Sequence, residues 1–484
     1  MRDKLLDINK IRSYKYIMIQ CVKRYLSVIS TYRKFITNYI CDNSERILAH
    51  THKQIFLSSY LPHPIYVKIH QRIANLQLKN IRDKLKKTNT INIGFYLYTA
   101  SMWSCDQLYK LFRDDKRFNP IIYVCGVPGT NCDEEMCHYY GTIKYFEDKN
   151  YNVLGLYDIK EKSWDYIEKP DILFLLTPYS GLPPEQFSIN NIPLDIITIS
   201  IPYGIHTLYC DEKKSSYNRF GTLVSWKYFI DTRYYLNSYS QKSRTHGFNA
   251  IYSGYPKMDD LQGDINSKNN IKHWRTPTNT DCKKIHKIIY APHYSIRDSG
   301  IKNSTFDQNY MYILEYARDH PKTTSWIYKP HPNLRYQSVK SGLFNSLEEY
   351  DAYENAWREL PNATVSSNET YTSLFTSSDG MILDSGSFLG EYQYTKKPLL
   401  YLRREGQTFN NLALEILKVQ YSVPGDDLEG IKSFIEEVIG ADNDYLKQDR
   451  ELFFKDNMDY ISENGMNASK FIYEYILSEL AKED

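Results

Sequence analysis

From Ile91 onward the chain alternates short apolar runs with amphipathic stretches. Ile91-Asn-Ile-Gly-Phe-Tyr-Leu97 is a run of buried-strand length and predicts a strand covered on both faces. Residues 104–114 carry helical periodicity, and 119–125 predicts the next strand. Residues 171–176 and 194–200 are two more apolar runs of strand length. A polar stretch, 264–284, interrupts the pattern, which then restarts. Strands are predicted at 287–290, 324–329, 380–383 and 398–402, with helices over 306–320 and up to 374–378. Residues 429–439 and 444–480 read as helical. Strands alternating with helices predict parallel sheets with crossover helices. The expected fold is therefore α/β, with two Rossmann-like domains facing a cleft, at 91–264 and 285–440. A basic helical extension, 1–90, precedes them, and C-terminal helices, 441–484, follow.

Within the extension, residues 11–40 place Ile11, Tyr14, Met18, Tyr25, Ile29 and Tyr32 on one helical face. Arg12, Lys15, Lys23, Arg33 and Lys34 flank that face. The pattern fits an interfacial helix, and equally a helix packed on the rest of the protein. A second basic helix is predicted over 65–87.

Charge sharpens this division. The 484 residues carry a net charge of +2, which is a cancellation. Residues 1–90 hold 18 Lys/Arg against 5 Asp/Glu, and the remainder holds 42 against 53. Such asymmetry points to an anionic partner for the extension: a membrane surface, nucleic acid or another polyanion. Hydrophobic content of 42% and charged content of 24% exclude wholesale disorder. No apolar run is long enough for a transmembrane helix, and Asp3, Asp7 and Lys10 interrupt any signal-peptide core. A cytoplasmic protein is expected, peripheral at the inner face of a bacterial membrane through residues 1–90. The eight cysteines include no C-x-x-C pair and read as reduced thiols. Cys125, Cys132 and Cys137-His138 form a loose group, read as free cysteines rather than a zinc site. Asp442-Asn-Asp444 reads as solvated charge.

Dinucleotide, P-loop and nucleophile-elbow fingerprints are missing from the sequence. Ionisable and hydroxyl residues instead recur just after apolar strands of the second domain. They are His293, Lys329 with His331, Asp384 with Ser385 and Ser387, and Arg403 with Arg404. In a parallel sheet these ends share one rim, where ligands bind. Taken singly, His293 is also a loop histidine, Lys329-Pro-His331 a rigid turn and Asp384–Ser387 an N-cap.

These residues lie in a series of motifs that resembles the CDP-glycerol glycerophosphotransferase family, the teichoic-acid polymerases and their relatives in capsule biosynthesis. In order, the motifs are Thr177-Pro-Tyr179, Ile201-Pro-Tyr-Gly-Ile205, Gly254-Tyr-Pro-Lys-Met-Asp259 and Tyr290-Ala-Pro-His293. Lys329-Pro-His-Pro332 and Ser378-Asp-Gly-Met-Ile-Leu-Asp-Ser-Gly-Ser387 follow, then Glu391 and Lys397-Pro398. The resemblance implies a GT-B architecture, metal-independent transfer without a cofactor, and a nucleotide diphosphate donor held by the second domain. It implies donor-phosphate roles for His331, Asp379 and the Asp384, Ser385, Gly386, Ser387 loop, and a ribose or polyol contact for Glu391. Lys329 and Arg403 complete the expected donor set. Tyr203 stands where the polymerases place a basic histidine, and His206 lies three residues on. His206 and His293 are thus the candidate bases, with Tyr203 beside them.

The expected function is transfer of a nucleotide-activated glycerol-phosphate or polyol-phosphate group onto a hydroxyl of a surface polysaccharide or lipid-linked glycan. The competing expectations are a GT-B glycosyltransferase using a CMP- or UDP-sugar, and a non-enzymatic polyanion-binding protein. No nucleic acid partner is expected.

Overall fold

The computed structural model describes residues 63–88, 90–125, 132–159, 163–164, 167–177, 185–205, 207, 216–261, 274–277, 284–297, 303–366 and 371–482. The amphipathic stretch 11–40 and His206 lie outside these described residues.

The first sheet contains β1 (Ile91–Leu97), β2 (Phe118–Val124), β3 (Val153–Gly155), β4 (Ile172–Leu175), β5 (Ile197–Ser200), β6 (Lys227–Ile230) and β7 (Ala250–Tyr252). Their order is β3-β2-β1-β4-β5-β6-β7, with every pairing parallel. The second contains β8 (His286–Ala291), β9 (Thr324–Tyr328), β10 (Ala363–Val365), β11 (Gly380–Leu383), β12 (Leu399–Arg403) and β13 (Tyr421–Pro424). Its order is β10-β9-β8-β11-β12-β13, again all parallel. Each sheet reverses its winding once, at β1/β4 and at β8/β11. Those reversals leave crevices at the carboxyl ends of the strands.

Alternation along the strands divides each sheet into two cores. Ile91, Ile93, Phe95 and Leu97 face one layer, while Tyr96 faces the other. Ile289 and Ala291 face one layer of the second sheet, while Ile288 and Tyr290 face its opposite. Helices on both faces explain why the strands read as continuous apolar runs.

The second basic stretch is the helix His63–Thr88, which buries Ala74, Leu78 and Ile81 in the first-sheet core. The 444–480 region is three helices rather than one: Lys447–Asn457, Tyr460–Asn464 and Ala468–Leu480. Gly465, in the left-handed conformation, ends the second of them. Ile472 and Ile476 of the last helix also enter the first-sheet core, so the chain crosses back from the second domain to the first. Asp444 is not solvated charge. Its carboxylate pairs with the fully buried Arg450 and accepts the Tyr421 hydroxyl at 3.0 Å. A buried guanidinium needs such a partner. Asp442, by contrast, is exposed.

Candidate active site

The site grows from the carboxyl ends of β8 and β9. The Lys329 N–H donates to the Tyr290 carbonyl at 2.8 Å, and the His331 N–H donates to the Pro292 carbonyl at 3.1 Å. These bonds extend the pairing past the strands and bring His293 beside His331, with ring centroids 5.2 Å apart. Each imidazole accepts a main-chain N–H at Nδ1, from Ser295 at 3.2 Å and from Asn333 at 3.1 Å. An accepting Nδ1 leaves the neutral ring with its proton on Nε2. Burial, then the neighbouring His331, pushes His293 down to about 3. Burial, then Lys329, pushes His331 down to about 4. Both rings are therefore neutral donors near pH 7, beside a buried lysine.

Across the β8/β11 crevice, Asp384 is 1% exposed and serves the framework. Its Oδ1 accepts the His293 N–H at 2.5 Å. Its Oδ2 accepts the Thr305 N–H at 2.6 Å and the Ser304 and Thr305 hydroxyls at 3.1 and 3.2 Å. Burial pushes its carboxyl up to about 6 against these four donors. Asp384 thus locks the loops after β8 to the loop after β11. Ser385, half-buried, and Ser387, exposed, flank the buried Gly386 at the start of the helix Gly386–Glu391. The Thr207 hydroxyl donates to the Gly386 carbonyl, and a Cβ at Gly390 would meet Ile205. Ile205 and Thr207 of the first domain therefore close on the helix Gly386–Glu391. Tyr203 is half-buried, and its carbonyl accepts the Tyr255 hydroxyl at 2.6 Å.

A second cluster joins the domains. Tyr371 donates its hydroxyl to Glu391, which is 2% exposed. Lys257 Nζ of the first domain lies 4.7 Å from the Tyr371 ring centroid, and Lys329 Nζ lies 5.4 Å from it. Burial raises the Glu391 carboxyl, opposed by Lys257, the Tyr371 hydroxyl and Lys329. Lys257 and Tyr371 are absent from the expected site set. Lys257 sits inside the Gly254–Asp259 motif, which offered a signal; Tyr371 follows no motif.

The structure brings His293, Lys329, His331, Asp384, Ser385, Gly386, Ser387 and Glu391 to one rim. Arg403, at the end of β12, shares that edge with an exposed side chain. Arg404 is committed to the Ser304 carbonyl and the Asp307 carboxylate. Asp379 is not at the rim. It precedes β11 and exchanges main-chain and side-chain bonds with Lys287, near the start of β8. The four residues of β11 separate it from Asp384, and the five steps span about 16 Å at strand rise. Among the described residues, no group of three or more His, Cys, Asp or Glu could hold a metal ion.

Known proteins resemble this chain at two levels. The structure of a point variant of the wall teichoic acid polymerase TagF superposes with a TM-score of 0.53 at 13% identity, covering 88% of this chain and 98% of that one. A second TagF variant gives 0.52 at 14% identity, covering 85% and 98%. These likenesses establish the GT-B-like fold. Among curated proteins, none matches the chain. The family model for CDP-Glycerol:Poly(glycerophosphate) glycerophosphotransferase matches residues 206–478, more than half of the chain and the whole of the second sheet. On that match, the chain belongs to the CDP-glycerol:poly(glycerophosphate) glycerophosphotransferase family.

Proposed function

We propose that this transferase moves a glycerol-phosphate or related polyol-phosphate group from a cytidine diphosphate donor to a hydroxyl of a surface glycan. One observation carries the reading: two neutral histidines of the same tautomer meet near Lys329, beside the Ser385–Ser387 loop, at the winding reversal of the second sheet. Nε2–H groups and a lysine suit the diphosphate of a donor. In the reaction the acceptor oxygen bonds to the distal phosphorus. The bond from that phosphorus to the bridging oxygen breaks, and CMP leaves with the electron pair. The hydroxyl proton passes to a base on the 203–206 segment, His206 or Tyr203. His293 donates to the donor rather than accepting this proton, because its Nδ1 is already engaged. Asp384 acts as a positioning residue, holding His293 and the loops around it.

CMP release is measured with CDP-glycerol, CDP-ribitol, CMP-sugars and UDP-sugars, with a glycan acceptor. Release is expected with a CDP-polyol, and His331→Ala lowers the rate by about 100-fold or more. UDP release, or full activity in His331→Ala, sinks this reading. The basic helix His63–Thr88 supports placement at an anionic membrane face, where a lipid-linked acceptor would be met.

A further inference from the structure

A cavity of about 410 Å³ opens on the first-domain side of the cleft. Its floor, Ala100 to Ser104, follows the carboxyl end of β1, at the winding reversal of the first sheet. Its far wall is Tyr371 of the second domain. Lys329 of the donor rim lies 5.4 Å from the centroid of that ring.

The lining combines aromatic faces with paired polar groups. Trp103 and Tyr151 stand edge to face with centroids 5.8 Å apart, and Tyr145 lies beside them. Asp106 accepts the Tyr151 hydroxyl and Lys110 Nζ, the latter at 2.6 Å. Burial pushes its carboxyl up, but Lys110 and Tyr151 outweigh this and keep it ionised. Asp260 accepts the Gln107 amide at 2.7 Å. Lys149 donates to the Tyr145 hydroxyl at 2.5 Å and lies 3.8 Å over that ring. Lys257 reaches the Ser101 carbonyl at 3.4 Å and lies over Tyr371.

The lysines here are engaged, and two carboxylates share the space. Lys110, Lys149 and Lys257 share the lining with Asp106 and Asp260, so the charges of the walls largely offset one another. A pyranose ring has what the walls complement: an apolar C–H face for the rings, and hydroxyls for the carboxylates and the Gln107 amide. The volume lies within the range of small-molecule sites.

We infer that this cavity holds a neutral sugar ring of the glycan acceptor, beside Tyr371 and the donor rim. The inference rests on the transferase reading above and adds the place and chemical class of the acceptor. The full chain is titrated with glucose, galactose and N-acetylglucosamine, and with glycerol 3-phosphate as the phosphate-bearing probe, while tryptophan fluorescence is followed. Trp103 is one of six tryptophans, so Trp103→Phe is the matched control. A saturable change is expected with at least one sugar. It disappears in Trp103→Phe, weakens about tenfold in Tyr145→Ala, and is missing with glycerol 3-phosphate. Calorimetry with CDP-glycerol reads the donor site and the fold of each variant independently. A sugar response that survives Trp103→Phe overturns the inference. So does tighter binding of glycerol 3-phosphate, or no sugar response in a chain that binds CDP-glycerol. Sugar binding without CDP-glycerol binding leaves the cavity assigned and removes the donor reading. A chain that binds neither overturns both.

Discussion

His331 shows what burial does to an imidazole at the proposed donor site. Its protonated form is held down to about 4 by burial and by Lys329. A bound diphosphate reverses the local field and favours that form, so the bound-state pKa lies above the free one. Linkage then sets the sign: affinity for CDP-glycerol rises as pH falls through the bound-state pKa and levels off near the free value of about 4. A diphosphate diester has no ionisation of its own in that window. Calorimetry across pH 5 to 8 should show the slope in the parent and a flatter profile in His331→Asn; equal slopes would remove the histidine from the donor site. At this scale the rim was legible because its residues directly follow apolar strands. Lys257 and Tyr371 were not, since their meeting depends on how two distant domains dock. Asp379 shows the converse limit: a motif that runs through a strand delivers its two ends to opposite edges of the sheet.

Elements of good length were legible for a simple reason. In strands buried on both faces, such as β1 and β9, the few polar residues, Asn92, Thr324 and Ser325, lie near the strand start and leave the apolar run intact. The three-residue strands β3, β7 and β10 sit toward the edges of their sheets, only partly buried, and leave too short a pattern to detect. The predicted helix over 429–439 is present only up to Ser433; Phe434–Gly440 widens to π spacing, which the periodicity of side chains does not announce. One motif acquires an architectural meaning. Gly254 has φ +83°, and a Cβ there would fall within the Tyr460 ring. Asp259 accepts the Tyr460 hydroxyl at 2.8 Å and the N–H groups of Ala468 and Ser469 at 2.9 and 2.8 Å. Gly254→Ala should therefore cost about 2–5 kcal/mol, from left-handed strain plus overpacking. Urea unfolding of the variant checks this, and a midpoint equal to that of the parent would show that Tyr460 yields freely.

Over the whole molecule, the charge split becomes spatial. Lys68, Arg72, Lys79 and Lys86 are exposed on the helix His63–Thr88. At 100° per residue they fall within a stripe of about 40°, opposite the buried Ala74, Leu78 and Ile81. Among the described residues, no helix is long and apolar enough to cross a membrane. A cationic stripe attracts an anionic bilayer by about 1 kcal/mol per residue near its surface. The full chain should cosediment with phosphatidylglycerol vesicles at low salt, less so at high salt, and little after reversing these four charges. Undiminished sedimentation of the charge-reversed chain would place the contact elsewhere.

The return of the last helix to the first sheet also bears on biosynthesis. Ile472 and Ile476 complete a core that begins at Ala74, and Arg82 bonds the Glu479 carbonyl. A ribosome delivers the early strands long before it delivers these closing residues. The first domain therefore waits with an open apolar flank until residues 468–480 have emerged, and that flank stays exposed until their helix docks.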